Sequence, residues 1–182
     1  MERKYASKEP EYSLRLKQTA YHEAGHVVMA ITMRCSFRRV TIVSDENKGL
    51  LGHVLSGLRA RLEYNRGEPS SRDRILVEKY ILVSLAGNAA ARIFTKKKFW
   101  TGANADLAQA YEYANLIAYG DEIPAYVEWL RLRAYNILVY EPCCWDSVEI
   151  LANALLKYKT IGSMRARKII KQGMDERYQL PE

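Results

Sequence analysis

The residues with the clearest chemical potential are Tyr21-His22-Glu23-Ala24-Gly25-His26. Side chains four positions apart on an α-helix lie on one face, about one turn from each other. Both imidazoles could therefore reach one zinc ion at roughly 2.0–2.1 Å. Glu23 follows the first histidine and is turned to the side of the pair. It can take a proton from an activated water without occupying the metal itself. The competing reading is a chance match on a surface helix. Against it, two of the chain's three histidines fall in this motif, on a helix that is otherwise apolar. Burying a polar cluster there without a ligand would be costly. The remaining histidine, His53, reads as a half-exposed strand residue rather than a ligand. A tetrahedral catalytic zinc takes three protein ligands and leaves one position open, so a carboxylate is the expected third ligand.

The elements that must position these groups follow from periodicity. From Ser13 to about Arg34, apolar residues at Leu16, Ala20, Ala24, Val27, Val28 and Ile31 recur at three- and four-residue steps, predicting an amphipathic helix. Residues 38–43 are rich in β-branched side chains, and Leu50 to Leu55 reads as a second strand after a polar turn. Together they predict a small antiparallel sheet near the N-terminus. Residues 56–71 read as a loop, with Ser70 or Ser71 capping a long helix that runs to about Phe94. A basic loop then leads to a helix starting near Asn104. Further helices are expected over 121–140, with Pro124 in the first turn, over 143–157 and over 163–173. The fold class is thus mainly α with a small N-terminal β-sheet, an α+β arrangement.

Composition narrows the classes further. The chain has 182 residues, 48% of them apolar and 27% charged, with a net charge of +7. That is neither a disordered tail nor a linker, and it fits one domain over 1–182, with residues 1–12 expected to be a flexible N-terminus. Three cysteines, with Cys143 and Cys144 adjacent, exclude a disulfide-scaffolded secreted domain and suit a reducing compartment. A thiol at that helix start could have a lowered pKa, although ordinary packing is the simpler reading. Trp129 and Trp145 are expected to serve in packing between helices. No stretch has the ~20 uninterrupted apolar residues of a membrane span, and no apolar leader follows Met1, so a cytoplasmic chain is expected.

Five segments in order resemble landmarks of one family: Thr19-Ala-Tyr-His-Glu-Ala-Gly-His26, Val40-Thr-Ile-Val43, Leu51-Gly-His53, Leu85-Ala-Gly-Asn-Ala-Ala90 and Thr101-Gly-Ala-Asn-Ala-Asp-Leu107. They look like the protease domain of the FtsH-type ATP-dependent zinc metalloproteases. The resemblance implies a zincin-like helical protease domain, Zn2+ as cofactor, and Asp106 as the third ligand beside His22 and His26. Read alone, Asp106 would be a first-turn acid that complements its helix dipole. The resemblance also implies hexameric self-association. The sequence contains no Gly-x-x-x-x-Gly-Lys-Ser/Thr phosphate loop, so a stand-alone peptidase without its own motor or membrane segments is expected, with an ATPase acting in trans if one is needed. Where the family reads Gly-Gly-Arg-Ala-Ala-Glu, this chain has Ala86-Gly-Asn-Ala-Ala-Ala91, and an acidic residue is missing at Ala91.

The expected activity is zinc-dependent endopeptidase hydrolysis of unfolded proteins or peptides, with Glu23 as general base. The substrate would add as a strand beside residues 50–55. The alternatives are an inactive metal-binding protein, or a nucleic-acid-binding module using the basic segments 96–100 and 165–171. For those segments a solvated loop and an exposed helix face are the simpler reading, so a nucleic-acid partner is not expected.

Overall fold

A computed structural model describes residues 8–43, 69–96 and 104–179. Helix α1, Lys8–Thr32, begins five residues earlier than the periodicity indicates and takes Pro10 into its first turn. A missing N–H at that position costs nothing, because first-turn N–H groups have no partner within the helix. Ala20, Ala24, Val27 and Val28 form its buried stripe. Helix α2, Ser71–Thr95, is held at its start by a capping box. The Ser70 hydroxyl accepts from the Asp73 N–H at 3.2 Å, and the Asp73 carboxylate accepts from the Ser70 N–H at 3.3 Å. Such a cap contributes about 1 kcal/mol. Twelve of the 25 residues of α2 are buried, which makes it the central helix, with α1, α3 and α4 packed around it.

Helix α3 spans Asn104–Ala114, and α4 spans Glu122–Tyr140 with Pro124 in its first turn. Val127, Leu130, Ala134, Ile137 and Leu138 supply the buried side of α4. Helix α5, Cys144–Tyr158, buries Val148, Leu151, Ala152 and Leu155 against α1. Tyr126 donates from its hydroxyl to Glu78, tying α4 to α2, while the Arg74 guanidinium donates to the Ile117 carbonyl at 2.8 Å.

The fold is mainly helical with a small antiparallel sheet, as the periodicity indicates. The pairing seen among the described residues is long-range. Strand β1, Arg39–Thr41, pairs with β2, Thr160–Gly162, in the register Arg39↔Gly162, Val40↔Ile161 and Thr41↔Thr160. The expected partner, residues 50–55, lies outside the described residues. Thr160-Ile-Gly162 is too short to show an alternating pattern, and it is recruited because Ile161 and Val40 are both buried on the inner face of the ribbon.

Helix α6, Ser163–Tyr178, runs past Gly173, where the sequence suggests an end. That glycine is a contact rather than a stop: a Cβ there would lie 2.7 Å from Ile150 Cγ2. The last turn is retained by Arg177, which pairs with Asp146 and Glu149, and by Tyr178, which donates to Asp146. Cys144 is buried, and burial pushes its thiol up rather than down, the opposite of an activated thiol at a helix start. Trp129 is 50% exposed and does not fill the core, whereas Trp145 is packed against it.

Candidate metal centre

Helix α1 presents His22 and His26 on one face, at 6% and 5% exposure. Their burial depends on a close approach to α2. A Cβ on Gly25 would lie 2.5 Å from the Ala90 Cβ and 2.6 Å from the Ala86 carbonyl oxygen, so only glycine lets α1 settle onto this stretch of small residues. On the facing helix, a Cβ on Gly87 would lie 2.3 Å from His26 Nε2 and 2.8 Å from His22 Cε1. The two rings therefore lie directly over the α2 backbone, in space a side chain would otherwise fill.

Below them, His26 Nδ1 lies 2.7 Å from the Val83 carbonyl oxygen. A carbonyl only accepts, so Nδ1 carries the proton and donates. In the neutral ring this leaves the Nε2 lone pair directed at the site. A carbonyl partner of this kind orients a metal-ligating histidine. The Ser84 hydroxyl, fully buried, donates to Gln109 Oε1 at 3.2 Å. Gln109 lies one turn after Asp106 on α3, so the neighbouring pair Val83-Ser84 positions both His26 and the helix that carries Asp106.

Asp106 is in the first turn of α3. Its Oδ2 lies 3.0 Å from His22 Nε2 and 3.4 Å from His26 Nε2, and the two Nε2 atoms are 3.1 Å apart. The edge of a zinc tetrahedron with ligands at ~2.1 Å is about 3.4 Å. Asp106 Oδ2 is buried and meets no donor in hydrogen-bond geometry. Two ring nitrogens and a carboxylate oxygen that crowd to these separations form a donor set suited to a borderline-soft divalent cation. Among the described residues, this is the group of histidine and acidic side chains that could hold a metal ion.

The electrostatics of the three groups are consistent with that arrangement. Burial alone would lower the His26 pKa, but the Asp106 carboxylate outweighs it and the value is pushed up to about 9. Burial alone would raise Asp106, but His26 and His22 hold its carboxyl well below the usual carboxylate range. The Glu23 charge also acts on His26, and Glu23 itself is half-buried beside the pair. Tyr21, one position before His22, stacks on Phe94 at 4.0 Å and on Trp145 at 5.8 Å, which holds this turn of α1 between α2 and α5.

The structure thus brings His22, His26 and Asp106 together, while His53 lies outside the described residues. Sequence reasoning did not single out Val83, Ser84, Gly87 or Gln109 for the site. Of these, only Gly87 carried a signal: a glycine inside a helix costs about 1 kcal/mol relative to alanine and calls for a packing reason.

No protein-family model matches the chain. The chain is 25% identical to the ATP-dependent zinc metalloprotease FtsH 2 of Methylacidiphilum infernorum (isolate V4), in an alignment covering 86% of this chain and 29% of that protein. The chain therefore spans under a third of this relative's length. The match supports a distant FtsH-like relationship.

Proposed function

We propose that the chain is a zinc-dependent endopeptidase in which His22, His26 and Asp106 hold the metal and Glu23 is the general base. The convergence of His22 Nε2, His26 Nε2 and Asp106 Oδ2 within 3.0–3.4 Å of one another carries this reading. Zinc held there would supply Lewis acidity toward a peptide carbonyl and lower the pKa of an attacking water. The Val83 carbonyl orients His26, Gly87 leaves the space that both imidazoles occupy, and Asp106 contributes negative charge toward the cation. Glu23 receives the proton of the attacking water and delivers it to the departing amine, so that one carboxylate serves as base and then as acid.

The substrate class is unfolded polypeptide. A separate ATPase that unfolds substrate, and a hexameric assembly, belong to this reading through the family resemblance. Purified protein should contain about one zinc per chain, and His22→Ala and Asp106→Ala should each lose it. Glu23→Gln should keep the metal and abolish cleavage of casein. Cleavage by Glu23→Gln at the original rate would reject the assignment of the base, and zinc retained by Asp106→Ala would reject the third ligand.

A further inference from the structure

Residues 34–43 and 153–172 together hold nine Lys and Arg residues and no Asp or Glu, more positive charge than the +7 of the whole chain. They are far apart in sequence, but the β1–β2 ribbon brings them together. Arg39 pairs with Gly162, the Ser163 N–H donates to the Arg38 carbonyl at 3.0 Å, and the Arg167 guanidinium lies over the Phe37 ring at 5.8 Å. All nine cations are exposed, and none makes an ion pair among the described residues. Large apolar side chains protrude beside them. Met164 is 86% exposed in the first turn of α6, Val43 is 54% exposed just past β1, and Tyr158 is 41% exposed with Arg165 over its ring at 4.1 Å.

We infer that this face binds the surface of an anionic lipid bilayer. Cations without acidic partners among the described residues give the surface a field complementary to anionic headgroups, each contributing roughly fivefold to binding. The protruding apolar groups distinguish a bilayer from a nucleic acid. A phosphodiester backbone has no use for an exposed methionine, whereas the headgroup boundary accepts apolar side chains flanked by cations. The Tyr158 ring, already covered by Arg165, is poorly placed to stack on a base. Among the described residues no helix is long and apolar enough to cross a membrane.

The test is sedimentation of the full chain with vesicles of neutral phosphatidylcholine and with vesicles containing 30% phosphatidylserine, beside a mobility shift with a single-stranded oligonucleotide. The expected result is binding to the anionic vesicles only. It should weaken roughly 100-fold when Arg38, Arg165 and Lys168 are all changed to Gln, and about fivefold in Met164→Ser, whose charge is unaltered. All four positions are exposed, so the variants should melt like the parent. Failure to bind anionic vesicles, equal binding to neutral ones, or full binding by the charge variant would overturn the inference. Oligonucleotide binding that Met164→Ser retains, with no vesicle binding, would overturn it in favour of nucleic acid.

Discussion

Gly87 lies directly beneath His26, so close that a single added carbon would come within 2.3 Å of the ring nitrogen that faces Asp106. The absence of a side chain is here what permits the site, because both histidines occupy the volume a Cβ would take.

Gly87→Ala should therefore uncouple metal binding from folding. Alanine gains about 1 kcal/mol of helix propensity, while the imidazoles must move out of ligand geometry. Zinc affinity should fall by 10-fold or more, with helicity retained and the metal-free melting temperature little lower. Competition against a zinc chelator measures the first quantity and circular dichroism the second. Undiminished affinity in this variant would contradict the close approach of Gly87 to the two rings.

Zinc itself should stabilise the fold, since its proposed ligands come from α1 and α3 and their supports from α2. A ligand at 100 times its dissociation constant adds about 2.7 kcal/mol, and for a chain of this size each kcal/mol raises the melting temperature by roughly 2–4 °C. Thermal scans should show an increase of about 5–10 °C with zinc over chelator-treated protein. Asp106→Ala should show little or none of it. An equal increase in that variant would mean that zinc acts elsewhere on the chain.

The Tyr126–Glu78 hydrogen bond offers a control remote from the metal ligands. Burial holds the Tyr126 phenol above its ordinary pKa, with Glu78 adding to the effect, so the hydroxyl stays protonated and donating throughout the neutral range. Tyr126→Phe removes that donor and leaves the carboxylate less well satisfied. A loss of about 1–2 kcal/mol is expected in urea unfolding, with zinc content unchanged. A coupled loss of zinc would show that α4 supports the site more directly than its contacts indicate.

How much of this was legible depended on the length scale of the signal. His22, Glu23 and His26 declare themselves because helix geometry alone joins positions four apart. Asp106 required the family resemblance, since no local pattern distinguishes a ligand from a first-turn acid that complements a helix dipole. Ser70 could be read as a cap because its partner, Asp73, is three residues away. The support from Val83 is carried by a backbone carbonyl and leaves no trace in residue type. The pairing of β1 with β2 left no local trace either: Thr160-Ile-Gly162 has almost no pattern, and its partner lies more than a hundred positions away.

That ribbon also sets an order of assembly. Its Thr41 and Thr160 hydroxyls meet at 2.8 Å across 119 positions of chain, a closure whose entropic cost must be met before the contact forms. His22, His26 and Asp106 all precede Thr160, and so do the three helices that hold them. During synthesis, α1, α2 and α3 can dock and bring His22, His26 and Asp106 together while β1 still lacks this partner. The basic face, divided between the two ends of the ribbon's loop, is completed last.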